Sequence, residues 1–130
     1  MPNSNQFLYQ EYDILSKRIS KQIPNFVVDN LNPKFPIRPY QKEAFARFFD
    51  YLTEYEERLI PSHLLFNMAT GSGKTLIMAG LVLYLYEQGY RNFLFFVNSN
   101  NIIEKTKDNF LNSQSSKYLF NQKTNRIIAA

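Results

Sequence analysis

The chain has 130 residues and not one cysteine, which excludes disulfides and Cys-based zinc sites and suits a reducing cytosol. Its single histidine, His63, opens an apolar run, where a structural role is expected rather than a catalytic one. Long hydrophobic runs are missing too. The longest, Leu76 to Tyr86, is eleven residues, too short to cross a bilayer. The start, Met1-Pro2-Asn3-Ser4-Asn5-Gln6, has no basic stretch followed by an apolar one, so no secretory signal is visible. Nor does the chain hold a usable carboxylate pair. Asp13, Asp29, Asp50 and Asp108 stand in helical or connector context, and Glu54, Glu56, Glu57, Glu87 and Glu104 on helix faces expected to be solvated. None closes an apolar strand, where an Asp would hold Mg²⁺ and a neighbouring Glu would activate water. The expectation is a soluble, cytoplasmic protein with no membrane partner.

What is present argues for a folded domain. Hydrophobic residues make up 45% of the chain, with twelve Phe and nine Tyr, a composition at odds with disorder. The length allows one domain at most, with a real core. A net charge of +4 and a pI near 9.3 are compatible with a polyanionic partner but too mild to establish one.

Leu8, Tyr12, Leu15, Ile19 and Ile23 recur at helical spacing, which predicts an amphipathic helix over residues 6–23. Pro24, Pro33 and Pro36 then make residues 24–38 an extended connector, and Pro39 suits the first turn of a helix running to about Arg58. That helix carries Tyr40, Ala44, Phe45, Phe48, Phe49 and Leu52 on its apolar side. A strand is expected at His63–Met68, then an apolar helix to about Gln88 with Gly89 as a left-handed stop. Phe93-Leu94-Phe95-Phe96-Val97 reads as a strand covered on both faces. Asn100 or Asn101 would cap a helix from Ile102 to about Leu111, polar residues 112–125 would form a loop, and Ile127 would begin a third strand. Strands alternating with helices give an α/β fold, a parallel sheet with flanking helices. Residues 1–36 form an N-terminal segment ahead of it, and 37–130 its front part. Such an unfinished sheet would leave an apolar edge exposed, so self-association is expected.

The most informative stretch is Met68-Ala69-Thr70-Gly71-Ser72-Gly73-Lys74-Thr75, between the Leu64-Leu65-Phe66 run and the apolar helix. Gly71 and Gly73 lack a Cβ and permit a tight turn around an anion. Successive N–H groups and the helix N-terminus would face a triphosphate. Lys74 would reach the β- and γ-phosphates and the Thr75 hydroxyl would ligate Mg²⁺. Met68 stands where the strict pattern wants Gly, so the match is to a variant. Upstream lies Ile37-Arg38-Pro39-Tyr40-Gln41. A Gln amide both donates and accepts, matching the N6/N7 edge of adenine. A solvated first-turn Gln is the competing reading, and the residue alone does not separate them.

The order Arg-Pro-Tyr-Gln, then Met-Ala-Thr-Gly-Ser-Gly-Lys-Thr, then Phe-Leu-Phe-Phe-Val-Asn-Ser-Asn-Asn resembles the opening of a superfamily 2 helicase motor. The likeness is greatest to the ATPase (Res) subunit of type III restriction enzymes, over roughly residues 37–112. It implies a P-loop NTPase (RecA-like) domain that binds ATP and Mg²⁺. Gln41 and Arg38 would lie at the base, Thr70, Gly71, Ser72, Gly73, Lys74, Thr75 and Leu76 around the phosphates. Asn98, Ser99 and Asn100 would touch the DNA backbone at a strand-to-helix junction, with plain helix capping as the alternative. In a full-length parent the resemblance implies double-stranded DNA and a modification or specificity subunit as partners. This chain lacks the Asp-Glu motif and the arginine-finger segment of the family, so it is expected to bind ATP weakly without turning it over. A small-molecule kinase shares the loop but usually begins almost at the loop strand. A non-catalytic binding module derived from a motor is the remaining alternative.

Overall fold

A computed structural model describes residues 22–54 and 58–124. Among the described residues four helices follow one another: α1 (Asn25–Asn30), α2 (Pro39–Thr53), α3 (Lys74–Glu87) and α4 (Asn100–Leu111), with a 3₁₀ turn at Gln122–Thr124. The helix expected over 6–23, apart from its last two residues, and the strand expected from Ile127 lie outside the described residues.

α3 organises the packing. From Thr75 to Tyr86 it has no exposed residue, the signature of a helix covered on every side. α1 and α2 both pack against it. Phe45, Phe48 and Phe49 of α2 meet Ile77, Leu83 and Tyr84 of α3 in one core that also takes Val27 and Leu31. The Phe49 and Tyr84 rings lie 4.4 Å apart, and Phe48 meets Tyr84 edge-on at 6.0 Å, an arrangement favoured by the ring quadrupoles. Burial, with the Glu87 carboxylate as the lesser cause, pushes the Tyr84 hydroxyl up from its ordinary range.

The chain folds back over this core through residues 118–121. Phe120 forms an antiparallel bridge with Leu31, Asn32 N–H donates to the Leu119 carbonyl at 2.8 Å and Asn121 N–H to the Asn30 carbonyl at 2.8 Å. Tyr118, Leu119 and Phe120 are buried, so the polar loop expected over 112–125 has an apolar clasp at its centre. α4 ends in a polar turn: Ser115 and Asn112 donate to Asp108 and hold its carboxyl below the usual carboxylate range. The Pro-rich connector also departs from expectation, since α1 forms inside it. Pro24 precedes α1 and leaves its own missing N–H outside the helix ladder, so the proline does not oppose it.

The parallel sheet is not confirmed. Among the described residues no strand ladder forms, and Leu31–Phe120 is an isolated bridge. A strand exists only through lateral hydrogen bonds to a neighbour, and the two apolar runs do not lie in register beside each other. Their side chains still alternate as strands do. Leu64, Phe66 and Met68 pack on the core while Leu65 is 92% exposed. In the second run Leu94 and Phe96 are 84% and 86% exposed, against 40% and 47% for Phe93 and Phe95.

At Gly80 α3 lies close against its neighbours. A Cβ there would stand 2.4 Å from Phe45 Cζ and 3.4 Å from Val27 Cγ1. Alanine would gain about 1 kcal/mol of helix propensity, but overpacking a full core costs about 1–3 kcal/mol, and the Phe45 ring, fully buried and stacked on Phe49, has little room to yield. Gly80→Ala is therefore expected to lower the unfolding free energy by a net of about 1 kcal/mol, seen as a lower urea midpoint; an unchanged or raised midpoint would contradict this packing.

Candidate functional site

The junction between residue 68 and α3 is built by two glycines. Gly71 has φ +78° and Gly73 φ +83°, left-handed values that other residues reach only at a cost. Between them Ser72 turns back on the loop, its N–H and its hydroxyl both donating to the Ala69 carbonyl at 3.2 and 2.6 Å. Gly73 caps α3, and its carbonyl accepts from Leu76 and Ile77. The N–H groups of Gly73, Lys74 and Thr75 donate to no backbone carbonyl among the described residues. These are the unpaired first-turn donors of a helix, and they carry its positive end. Lys74 is exposed, and its Nζ lies over the loop, donating to the Met68 carbonyl at 3.0 Å and to the Ala69 carbonyl at 2.9 Å.

α2 delivers a second set of groups to the same place. Arg38 is its N-cap, and the Arg38 N–H donates to Gln41 Oε1 at 2.9 Å. This is the half of a capping box that an Arg cap allows, because a guanidinium has no acceptor to offer in return. Gln41 Nε2 donates to the Ser72 carbonyl at 3.0 Å. Gln41 is 2% exposed, a buried polar group with both ends of its amide satisfied, as burial demands. Tyr40 also donates its hydroxyl to the Ser72 carbonyl, at 2.8 Å, and accepts from Arg38 NH1 at 3.2 Å.

Arg38, Gln41, Thr70, Gly71, Ser72, Gly73, Lys74 and Thr75 thus lie at one end of α3. The Gln41 amide, expected at a base, is here engaged by the Ser72 carbonyl and by the cap of its own helix. The Leu76 side chain is buried in the core, leaving its backbone alone near the loop, and its N–H already donates to Gly73. Ser99 is the N-cap of α4, with Asn98 and Asn100 exposed on either side. No hydrogen bond joins these three to the loop among the described residues. Tyr40 was missed, because helical spacing counted it with the apolar side of α2 and nothing in the spacing marks a hydroxyl that leaves that side. Next to the loop, between α2 and residues 63–69, opens an apolar cleft of about 1030 Å³ walled by Ala44, Phe48, Tyr51, Leu64, Phe66 and Met68.

The loop suits a phosphate chain. Space above Gly71 is open, with nothing within 4 Å of a Cβ built there, and unpaired N–H groups and one ammonium converge beside it. Two left-handed glycines and a lysine at the head of a buried helix give the turn geometry of the P-loop class. The family model for the type III restriction enzyme Res subunit matches residues 34–129. The chain is also 49% identical, over 107 residues, to the probable type III restriction-modification enzyme HindVIP Res subunit of Haemophilus influenzae, an alignment covering 78% of this chain and 20% of that protein. No solved structure matches it. The chain belongs to the type III restriction enzyme Res-subunit family, a family of helicase-like motors with a P-loop fold, and it spans about a fifth of the length of its curated relative.

The two glycines separate backbone strain from steric clash. Both have left-handed φ, but a Cβ on Gly73 would meet Gln41 Nε2 at 2.4 Å whereas one on Gly71 meets nothing. Gly71→Ala should cost about 1–2 kcal/mol from the left-handed backbone alone. Gly73→Ala should cost more, since it also breaks the Gln41–Ser72 hydrogen bond and leaves a buried amide unsatisfied, a further ~1–3 kcal/mol. Urea titration of both variants checks the order; equal losses would mean that Gln41 does not press on the loop.

Proposed function

We propose that this chain is the ATP-binding front part of a DNA translocase of the restriction-enzyme type, with residues 37–130 as the start of a RecA-like domain and 1–36 as the segment preceding it. The observation that carries the reading is the loop itself: Gly73 N–H, Lys74 N–H, Thr75 N–H and Lys74 Nζ lie together at the positive end of α3. Thr70 through Thr75 hold the phosphates, Lys74 exchanging its two carbonyl partners for β- and γ-oxygens. Bound Mg²⁺, held by the Thr75 hydroxyl, would offset phosphate charge. Arg38, exposed at the mouth of the loop, is the group best placed to meet the base, and Gln41 serves it through the cap hydrogen bond. Asn98, Ser99 and Asn100 at the start of α4 offer a sequence-blind phosphate contact for double-stranded DNA. The strand-like alternation of residues 64–68 and 93–97 suits a sheet completed by neighbouring strands.

The whole protein, in this reading, is cytoplasmic, drives itself along DNA with ATP, and works beside a modification subunit. Among the described residues no helix is long and apolar enough to cross a membrane. The present chain supplies phosphate and base contacts without the acidic pair that hydrolysis needs.

Titration with a fluorescent ATP analogue and Mg²⁺ tests this. Binding is expected, and Lys74→Ala should weaken it by roughly 10- to 100-fold, the worth of a lost charge-assisted hydrogen bond. Phosphate release should stay at the buffer rate. Binding untouched by Lys74→Ala, or turnover that this substitution abolishes, would each overturn part of the assignment.

A further inference from the structure

We infer that Tyr40 is a positioning residue that aims the Gly73 N–H of the phosphate loop and couples it to Arg38, an inference that rests on the nucleotide reading above. The reason lies in the planarity of the peptide bond. In a trans peptide the carbonyl oxygen and the following N–H point in opposite directions within one plane. Whatever holds the Ser72 carbonyl therefore sets the direction of the Gly73 N–H. Two groups hold it, and both come from the first turn of α2: Tyr40 Oη at 2.8 Å and Gln41 Nε2 at 3.0 Å. The following residue, Gly73, is a glycine in the left-handed region, so this plane has unusual freedom to flip. The two donors from α2 remove that freedom.

Gln41 is buried and Tyr40 is not: the tyrosine is 42% exposed. Its ring adds little to the core, so the hydroxyl is what ties it to the loop. That hydroxyl also accepts from Arg38 NH1 at 3.2 Å. The chain guanidinium, phenol, carbonyl, peptide plane, N–H is continuous. A nucleotide base that draws Arg38 toward itself alters the donor on Tyr40, and through it the N–H offered to the phosphates. Hydrogen bonds in series polarise one another, so the base end and the phosphate end act together.

Tyr40→Phe removes the hydroxyl and keeps the ring, and Arg38→Met removes the guanidinium. Amide hydrogen exchange is measured by NMR on the full chain without nucleotide, in both single variants and the double. Tyr40→Phe is expected to speed exchange at Ser72, whose N–H donates to Ala69, several-fold, to lower the NMR order parameter of the unpaired Gly73 amide, and to leave Leu83, in the interior of α3, unchanged. Arg38→Met should have a smaller effect that disappears in the Tyr40→Phe background. Binding of an ATP analogue and of inorganic tripolyphosphate is then titrated. Tyr40→Phe should weaken both by about 2- to 10-fold, the range of one net hydrogen bond, while Arg38→Met weakens the ATP analogue more than tripolyphosphate, and both by less once Tyr40 is Phe. Unchanged exchange at Ser72 together with an unchanged Gly73 order parameter in Tyr40→Phe, or effects of the two substitutions that simply add, would overturn the inference. If the wild-type chain bound neither probe, the nucleotide reading would fall. The exchange cycle would still decide whether Tyr40 aims the loop.

Discussion

The burial of α3 on every side is the constraint on which the rest of this structure depends. A helix with no exposed residue from Thr75 to Tyr86 cannot rest on a single neighbour. It needs α1, α2 and the run before the loop around it, and each fully buried Leu, Ile or Phe contributes about 1.5–3 kcal/mol to that assembly. Burial fixes the helix axis within the domain, and the N-terminus of a fixed axis has a fixed direction. The loop inherits its orientation from packing outside the loop itself. Gly80, Phe45 and Val27 are therefore part of the loop's support, although none of them belongs to it.

The loop itself is held less by its own bonds than by α2. Within the loop Ser72 bonds back to Ala69, and Lys74 spans two carbonyls. These bonds are exposed, and each has a modest net value of about 1 kcal/mol. The Gln41 amide is different because it is buried, so breaking it costs the desolvation of an unpaired group as well. The first turn of α2 thereby joins the core, through Phe45 and Phe49, to the Ser72 carbonyl, through Tyr40 and Gln41. Four residues separate Gln41 from Phe45 on one helical face, and that spacing converts core packing into loop geometry.

Much of this was legible in the residues. Pro39, the Phe spacing and Gly89 mark α2 and the end of α3 because helix boundaries are local chemistry, and Gly71 and Gly73 announce left-handed backbone because no other residue takes it cheaply. α1 was hidden: six residues among prolines carry too few turns to show a period, and only packing against α3 makes them helical. Tyr118-Leu119-Phe120 was hidden for the opposite reason, a short apolar triplet inside a polar stretch, whose burial depends on Leu31 far away in sequence. The site divides along the same line. Lys74 and the glycines could be read from the motif, whereas the partners of Tyr40 and Gln41 depend on which tertiary neighbour their polar atoms meet. An amide that can read a base can equally hold a carbonyl, and only the fold chooses.

The two apolar runs show how far pattern and pairing can part. Leu64, Phe66 and Met68 face the core with Leu65 outward, and Leu94 and Phe96 stand exposed beyond Phe93 and Phe95. The alternation is set by the pleat of an extended backbone and needs no neighbour, while a ladder needs a strand alongside. Exposed leucine and phenylalanine at these positions leave apolar area in water at about 25 cal/mol per Å², so a neighbouring strand would gain both the apolar contact and the unpaired backbone groups beside it. The run from Leu64 leads directly into the phosphate loop. A strand laid along it would stiffen Met68 and Ala69, whose carbonyls receive Lys74, and would join the loop to the sheet at one end as Tyr40 and Gln41 join it to α2 at the other.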